Sequence, residues 1–180
     1  MRTYRNKGQL LLIFIAVGFL LGIIYQNVVS GNQIITTDLF LKSHLERFLH
    51  TDVVAEKYLW YVLKERILLF SVILILGSLK WKKFVAAACI ILAGFIMGVL
   101  TVSAVLQLGM KGLLFCIAGM LPQGIFYGIS YSVLFVYWYW FPARQWNKVK
   151  TIFVLLMFVV GILVETYVNP VIVKWVIKIL

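Results

Sequence analysis

The sequence is poor in charge, and poorest in acidic residues. Of its 180 residues 13% are charged, and six Asp or Glu stand against 17 Lys or Arg, for a net charge of +11. With 63% hydrophobic residues and a mean hydropathy of +1.02, too few polar side chains remain to cover a soluble fold of this length. The composition excludes an ordinary soluble domain and predicts a polytopic membrane protein.

Cysteine, histidine and catalytic motifs are equally scarce. Cys89 and Cys116 both lie in apolar segments, which is typical of small buried side chains rather than a disulfide or metal pair. His44 and His50 raise a metal-site hypothesis, but their spacing does not place both on one helix face, which favours solvated surface histidines. No HExxH, CxxC, GxSxG or nucleotide-binding glycine loop is present. We therefore predict a protein that is not an enzyme and needs no cofactor or metal.

The apolar runs predict an all-α membrane protein with five transmembrane helices in one domain, residues 1–180. The spans lie at about 8–29, 54–79, 84–106, 113–140 and 152–168. The first span is also a candidate signal peptide, but its apolar run is long for one, which favours a retained helix. Asn169-Pro170 is predicted to end the fifth span, and residues 171–180 to form a short helix on the membrane surface.

The loop at residues 30–53 is the only substantial polar stretch. A helix capped by Thr37 or Asp38 and running to about His50 would place Leu41 and Leu45 on one apolar face. We expect this amphipathic helix to lie outside the cytoplasm, on the membrane surface or against the spans.

The distribution of charge predicts the orientation. With five spans, one side holds nine basic residues and no acid, and the other holds eight basic residues with the six acids on it or near it. Because cytoplasmic loops carry an excess of Lys and Arg, the N-terminus is predicted inside and the C-terminus outside. The positive charge is thus interpreted as flanking membrane spans, not as a nucleic-acid footprint. A multi-pass membrane protein in contact with lipid is expected.

Residues 94–131 are predicted to be the most constrained part of the chain. Gly94 and Gly98 form a small-xxx-small face, which allows close helix approach in lipid. Pro122 is predicted to kink or break its helix near residue 121, or to mark a re-entrant segment, with Gln123 satisfying a freed carbonyl across the interface. The broken helix packed on the glycine face is expected to dock partners through Gly94, Gly98, Gly109, Gly112, Pro122, Gln123 and Gly124.

Two charged features stand inside predicted spans. Lys64, Glu65 and Arg66 lie in the outer third of the second span, as interfacial anchors or, alternatively, as part of a structural or partner-binding ion pair. Glu165 is the one carboxylate deep in an apolar run. It is either a proton or cation site within the membrane or a group that reaches water at the helix end.

Several of these segments together resemble the stage II sporulation protein M family of Gram-positive bacteria and relatives. They are Trp60 to Arg66, the Gly94/Gly98 helix, Gly109-Met110-Lys111-Gly112 and Leu121-Pro122-Gln123, and the resemblance covers roughly residues 55–130. Family patterns often carry a histidine after the proline and an acid three positions beyond it. Gln123 and Phe126 stand there in this chain, so roles that rest on those groups do not transfer.

The resemblance implies a multi-pass scaffold of the bacterial cell membrane that recruits peptidoglycan-degrading partners during engulfment, namely the stage II sporulation D and P proteins. A homo-oligomer is compatible with that role. The alternative is a small permease or a transporter or export subunit, which would need a polar cavity around Gln123 and Glu165.

Overall fold

Every regular element that the structure describes is a helix. The computed structural model describes residues 2–32, 46, 48–49, 54–78, 80–140 and 146–179. The elements are α1 (Arg2–Asn32), α2 (Ala55–Ser78), α3 (Lys82–Leu108), α4 (Met110–Tyr139), α5 (Lys148–Leu163), a π-helical segment (Val164–Val168) and α6 (Asn169–Ile179). The all-α prediction is confirmed for these residues. The predicted amphipathic helix, with His44 and His50, falls almost wholly outside them.

Four of the described helices are long and apolar enough to cross a membrane. They lie at Leu11–Val29, Lys82–Leu108, Met110–Tyr139 and Lys148–Lys178. The helix α2 is not among them, because its uncharged part after Arg66 is only about half the length that a crossing requires. The chain thus has the helices of a multi-pass membrane protein.

The C-terminal helix does not end at Asn169-Pro170, and the prediction of a separate surface helix at 171–180 is wrong. The α5 helix, the π-helical segment and α6 follow one another without a break. The N–H of Asn169 donates to the carbonyl of Val164, five residues back. An ordinary turn would press the ring of Pro170 against the carbonyl of Thr166, and the wider π turn relieves that clash.

Of the kink or break predicted at Pro122, the break is wrong, because α4 runs through this residue as one helix, and the kink stays a prediction. Proline leaves the carbonyl of Ala118 without its usual donor. Gln123 does not reach across an interface. Its Nε2 donates to the carbonyl of Gly119 in its own helix, at 2.5 Å. The carbonyl of Gly119 is not the one that Pro122 frees, so this bond supports the turn beside the proline and does not replace the lost donor.

Contacts group the chain into two compact units, and the predicted single domain stays a prediction. Unit 1 comprises Met1–Leu45 and Ala86–Cys116, and unit 2 comprises Glu46–Val85 and Ile117–Leu180. In unit 1, the turn between α3 and α4 is a single residue, Gly109, with a φ of +63° that favours glycine. At the start of α4, Gly112 packs against the carbonyl of Ala104, so the end of α3 and the first turns of α4, up to Cys116, form a tight hairpin within unit 1.

Candidate functional site

An ion pair inside unit 2 joins two helices that are 99 residues apart in sequence. The guanidinium of Arg66 donates from Nε to Oε2 of Glu165 at 2.8 Å and from Nη2 to Oε1 at 2.5 Å. The Glu165 side chain is 9% exposed and that of Arg66 is 36% exposed. This two-pronged geometry is the strongest form of an arginine–carboxylate contact.

Tyr127 of α4 completes the site as a third donor. Its hydroxyl donates to Oε2 of Glu165 at 2.7 Å, and its ring centroid lies 5.3 Å from Cζ of Arg66. The aromatic ring of Tyr127 therefore lies near the guanidinium of Arg66, while its hydroxyl bonds to the carboxylate of Glu165. Both oxygens of Glu165 accept hydrogen bonds. Arg66 of α2 balances the charge of this buried carboxylate, and the hydroxyl of Tyr127 in α4 adds a third hydrogen bond.

The absence of a side chain at Gly161 makes room for that tyrosine. A Cβ atom on Gly161 would lie 2.7 Å from Cε1 of Tyr127, well inside van der Waals contact. Gly161 stands one helical turn before Glu165 in the same continuous helix. Glu165, which carries the charge, and Gly161, which leaves room for Tyr127, therefore lie on the same helix face.

Apolar and aromatic side chains surround the site. The buried cluster next to it consists of Val62, Tyr127, Phe158 and Ile162, with Tyr58, Leu59, Phe70 and Tyr131 packed against it. The rings of Phe70 and Phe158 approach to 4.6 Å between centroids. Because Glu165 is buried next to these side chains, the hydrogen bonds to its carboxylate are electrostatically stronger than they would be in water.

Glu165 lies in the π-helical segment, well away from the charged ends of its helix. It follows Lys150 by 15 residues and precedes Lys174 by nine, so about 13 Å of helix separates it from the nearer lysine. The interpretation that Glu165 reaches water at a helix end is therefore wrong. Its neighbour Thr166 is buried too and donates from Oγ1 to the carbonyl of Ile162 at 2.8 Å. π-helical turns of this kind occur frequently at functional sites.

The three residues of the predicted charge cluster have different surroundings in the structure. Arg66 takes part in the ion pair, which is the alternative that its sequence position left open. Lys64 and Glu65 are exposed, and their role as interfacial anchors stays a prediction. Sequence reasoning missed Tyr127. The available signal was a tyrosine inside an apolar helix, since a buried tyrosine hydroxyl usually has a hydrogen-bond partner.

The glycine face of α3 packs against α1, and its predicted packing against the Pro122 helix is wrong. A Cβ on Gly94 or Gly98 would overlap the carbonyl oxygen of Ile15 or Phe19, respectively. The contact is reciprocal, because Gly18 and Gly22 of α1 face the carbonyl oxygens of Ile91 and Phe95. The missed signal is the second small-xxx-small pair, Gly18 and Gly22, with the same spacing as the first.

The remaining members of the predicted docking set do not form one site. Gly109 and Gly112 belong to the hairpin of unit 1, whereas Pro122, Gln123 and Gly124 belong to unit 2. A Cβ on Gly124 would meet no described atom within 4 Å. The Oε1 atom of Gln123 is buried and has no hydrogen-bond partner among the described residues.

Comparison of the chain with protein-family models, with curated proteins and with solved structures finds no match. The resemblance to the stage II sporulation protein M family stays a prediction that rests on the motifs alone.

Proposed function

We propose that the chain is a five-span protein of the cell membrane, with its N-terminus in the cytoplasm and α2 as its second span. Unit 1 supports this. Gly18 meets Ile91 and Gly22 meets Phe95, so α1 and α3 run in the same direction. Two parallel spans require the chain between them to return across the membrane. The helix α2 is about 36 Å long, enough for that return.

The helix directions inside unit 2 support the same order. Arg66 pairs with Tyr127 and Gly77 with Trp138, so α2 and α4 are parallel. The hydroxyl of Ser130 donates to the carbonyl of Val154 at 3.0 Å, while Tyr127 contacts Glu165, so α5 runs opposite to α4. In a chain of five spans that alternate in direction, α2 and α4 must be parallel and α4 and α5 antiparallel. Three charges lie in the middle of α2. Arg66 is matched by Glu165, whereas Lys64 and Glu65 are exposed on the same helix.

Cysteine accessibility tests this topology. In a variant without Cys89 and Cys116, a membrane-impermeant thiol reagent on intact cells is expected to label Asn32→Cys and Lys111→Cys. Lys82→Cys and Lys148→Cys are expected to react only after the membrane is opened. Labelling of Lys82→Cys in intact cells would contradict a crossing by α2.

The proposed function is that of a non-enzymatic membrane scaffold that holds partner proteins. The observation that carries it is the occupied carboxylate of Glu165, which receives donors from Arg66 and Tyr127 and so joins three helices. A group bonded in this way is suited to holding helices in place. The assignment of peptidoglycan-remodelling partners, the stage II sporulation D and P proteins, rests on the resemblance alone.

Replacing both charges tests the scaffold role. In Arg66→Met with Glu165→Leu the ion pair becomes apolar contact, and such exchanges are often neutral for stability. Affinity purification in mild detergent with mass spectrometry is expected to recover the same partners as the wild-type chain. The exposed pair Lys64→Met with Glu65→Leu, in the same helix, is the matched control. A stable double variant at Arg66 and Glu165 that loses its partners would contradict the proposal.

A small permease or export subunit is the second candidate. It is favoured by the placement of a carboxylate within a π-helical turn of a membrane helix, where ionisable groups often act in transport. If the chain is a transport subunit, Arg66→Met with Glu165→Leu is expected to keep its fold and its partners but to lose proton-coupled flux in proteoliposomes. Flux that is unchanged in the double variant would eliminate this candidate in its Glu165-dependent form.

A further inference from the structure

A basic and aromatic hollow lies where α2 passes into α3. Its volume is about 650 Å³. The described residues that line it include Lys80, Lys82, Lys83, Trp81, Phe84 and Trp138, and no acid is among them. Like charges gathered around one concave surface repel each other, so the arrangement favours an anion as the occupant.

The aromatic lining has one buried and one exposed part. Trp138 is buried, and its indole occupies the space that a Cβ on Gly77 would need. Trp81 and Phe84 are 70% and 74% exposed, with ring centroids 5.8 Å apart. Large exposed rings beside lysines are characteristic of the membrane interface, where the rings contact acyl and glycerol carbons and the amines contact headgroups.

We propose that this hollow binds the headgroup of an anionic phospholipid. The amines of Lys80 and Lys83 contact the phosphate, and Trp81 and Phe84 cover the adjacent glycerol and acyl carbons. Basic hollows at the cytoplasmic ends of membrane helices bind acidic headgroups in this way. The hollow then ties the α2–α3 connection to a specific lipid, independently of any protein partner.

Native mass spectrometry of the full chain in mild detergent tests the lipid. The chain is titrated with phosphatidylglycerol and with phosphatidylcholine of identical acyl chains. We expect phosphatidylglycerol to bind at least about fivefold more tightly, and Lys80→Ala with Lys83→Ala to weaken it by about tenfold or more. The control Lys148→Ala with Lys150→Ala removes the same charge elsewhere, and we expect less than about a twofold change.

A second pair of variants tests the aromatic contribution. Trp81→Ala is expected to weaken phosphatidylglycerol binding several-fold, whereas Trp175→Ala, at a tryptophan of similar exposure (65%) in α6, is expected to leave it unchanged. Thermal unfolding in detergent confirms that each variant is folded.

Three outcomes would overturn the proposal. Equal losses in the two lysine double variants would assign the binding to diffuse charge attraction. Equal binding of the two lipids would show that the headgroup charge is not recognised. Displacement of the lipid by inorganic phosphate at matched concentration would assign the hollow to free anions instead.

Discussion

The two units hold their helices together by opposite means. In unit 1, α1 and α3 touch backbone to backbone at Gly18, Gly22, Gly94 and Gly98. In unit 2, side chains of α2, α4 and the π-helical segment meet in a charged network of Arg66, Tyr127 and Glu165. The contact between α1 and α3 requires glycine, which has no side chain, at four positions. The network in unit 2 requires all three of its side chains.

This difference predicts different responses to mutation. In lipid, helices gain little from excluding water, so close van der Waals contact and polar bonds carry the association. A glycine contact is damaged by adding atoms. The charged network is damaged by removing one member, because a buried charge is then left without its partner. Removing both charges together is expected to lower the free energy of unfolding much less than removing one. The glycine contact has no corresponding second change that restores stability.

The largest expected effect is that of Arg66→Met. It leaves the carboxylate of Glu165 buried without its counter-ion, and we expect a loss of about 3–5 kcal/mol in unfolding free energy. Glu165→Leu leaves the guanidinium of Arg66 unpaired in the middle of the proposed span α2, so we expect a loss of similar size. Thermal or denaturant unfolding in detergent measures both. A neutral Arg66→Met would contradict the ion pair.

Steric insertion into the glycine contact comes next. Gly98→Leu would drive a side chain into the carbonyl of Phe19 on α1, with an expected loss of about 1–3 kcal/mol. Gly124→Leu is the matched control, since no described atom lies near its Cβ position, and it should change little. The same unfolding assay applies. Comparable losses of unfolding free energy in Gly98→Leu and Gly124→Leu would show that the loss does not come from the close contact with α1.

A smaller effect is expected for Tyr127→Phe. It removes one donor to Glu165 but leaves Arg66 in place, so we expect a loss of about 1–2 kcal/mol. Tyr167→Phe, at a half-exposed tyrosine two residues after Glu165, is the control and should be neutral. A neutral Tyr127→Phe would show that the arginine alone satisfies the carboxylate.

The smallest effect is expected for Gln123→Leu. Its side chain bonds only within its own helix, to the carbonyl of Gly119, and one of its polar atoms is buried without a partner among the described residues. Polar contacts inside membrane proteins average about 0.6 kcal/mol, so the change should be near that value or smaller. A large loss would instead indicate a contact of Gln123 outside the described residues.

The sequence predicts helices better than it predicts helix partners. The spans at 84–106 and 113–140 lie close to α3 and α4, because charges or turn residues bound each long apolar run. The pairing of Gly98 with Phe19 was missed because two small-xxx-small faces far apart in sequence give no local sign that they match. Tyr127 was missed for a similar reason, since its partner is defined only by the tertiary packing.

Proline positions show a further limit of local reasoning. The sequence predicts a kink or break at Pro122 and a helix end at Asn169-Pro170, yet the helix continues past each proline. At the first, a side-chain hydrogen bond from Gln123 supports the turn, and at the second, a π turn accommodates the ring. Both solutions depend on small changes in helix geometry that the residue pattern does not encode.

A double-mutant cycle on Arg66 and Glu165 tests the central claim most directly. Unfolding free energies are measured in the same detergent for the wild-type chain, Arg66→Met, Glu165→Leu and the double variant. If the ion pair joins α2 to the π-helical segment, the double variant is more stable than Arg66→Met, and the coupling energy is at least about 2 kcal/mol. Additive losses, with a coupling within about 0.5 kcal/mol, would contradict the ion pair and the placement of α2 that it supports.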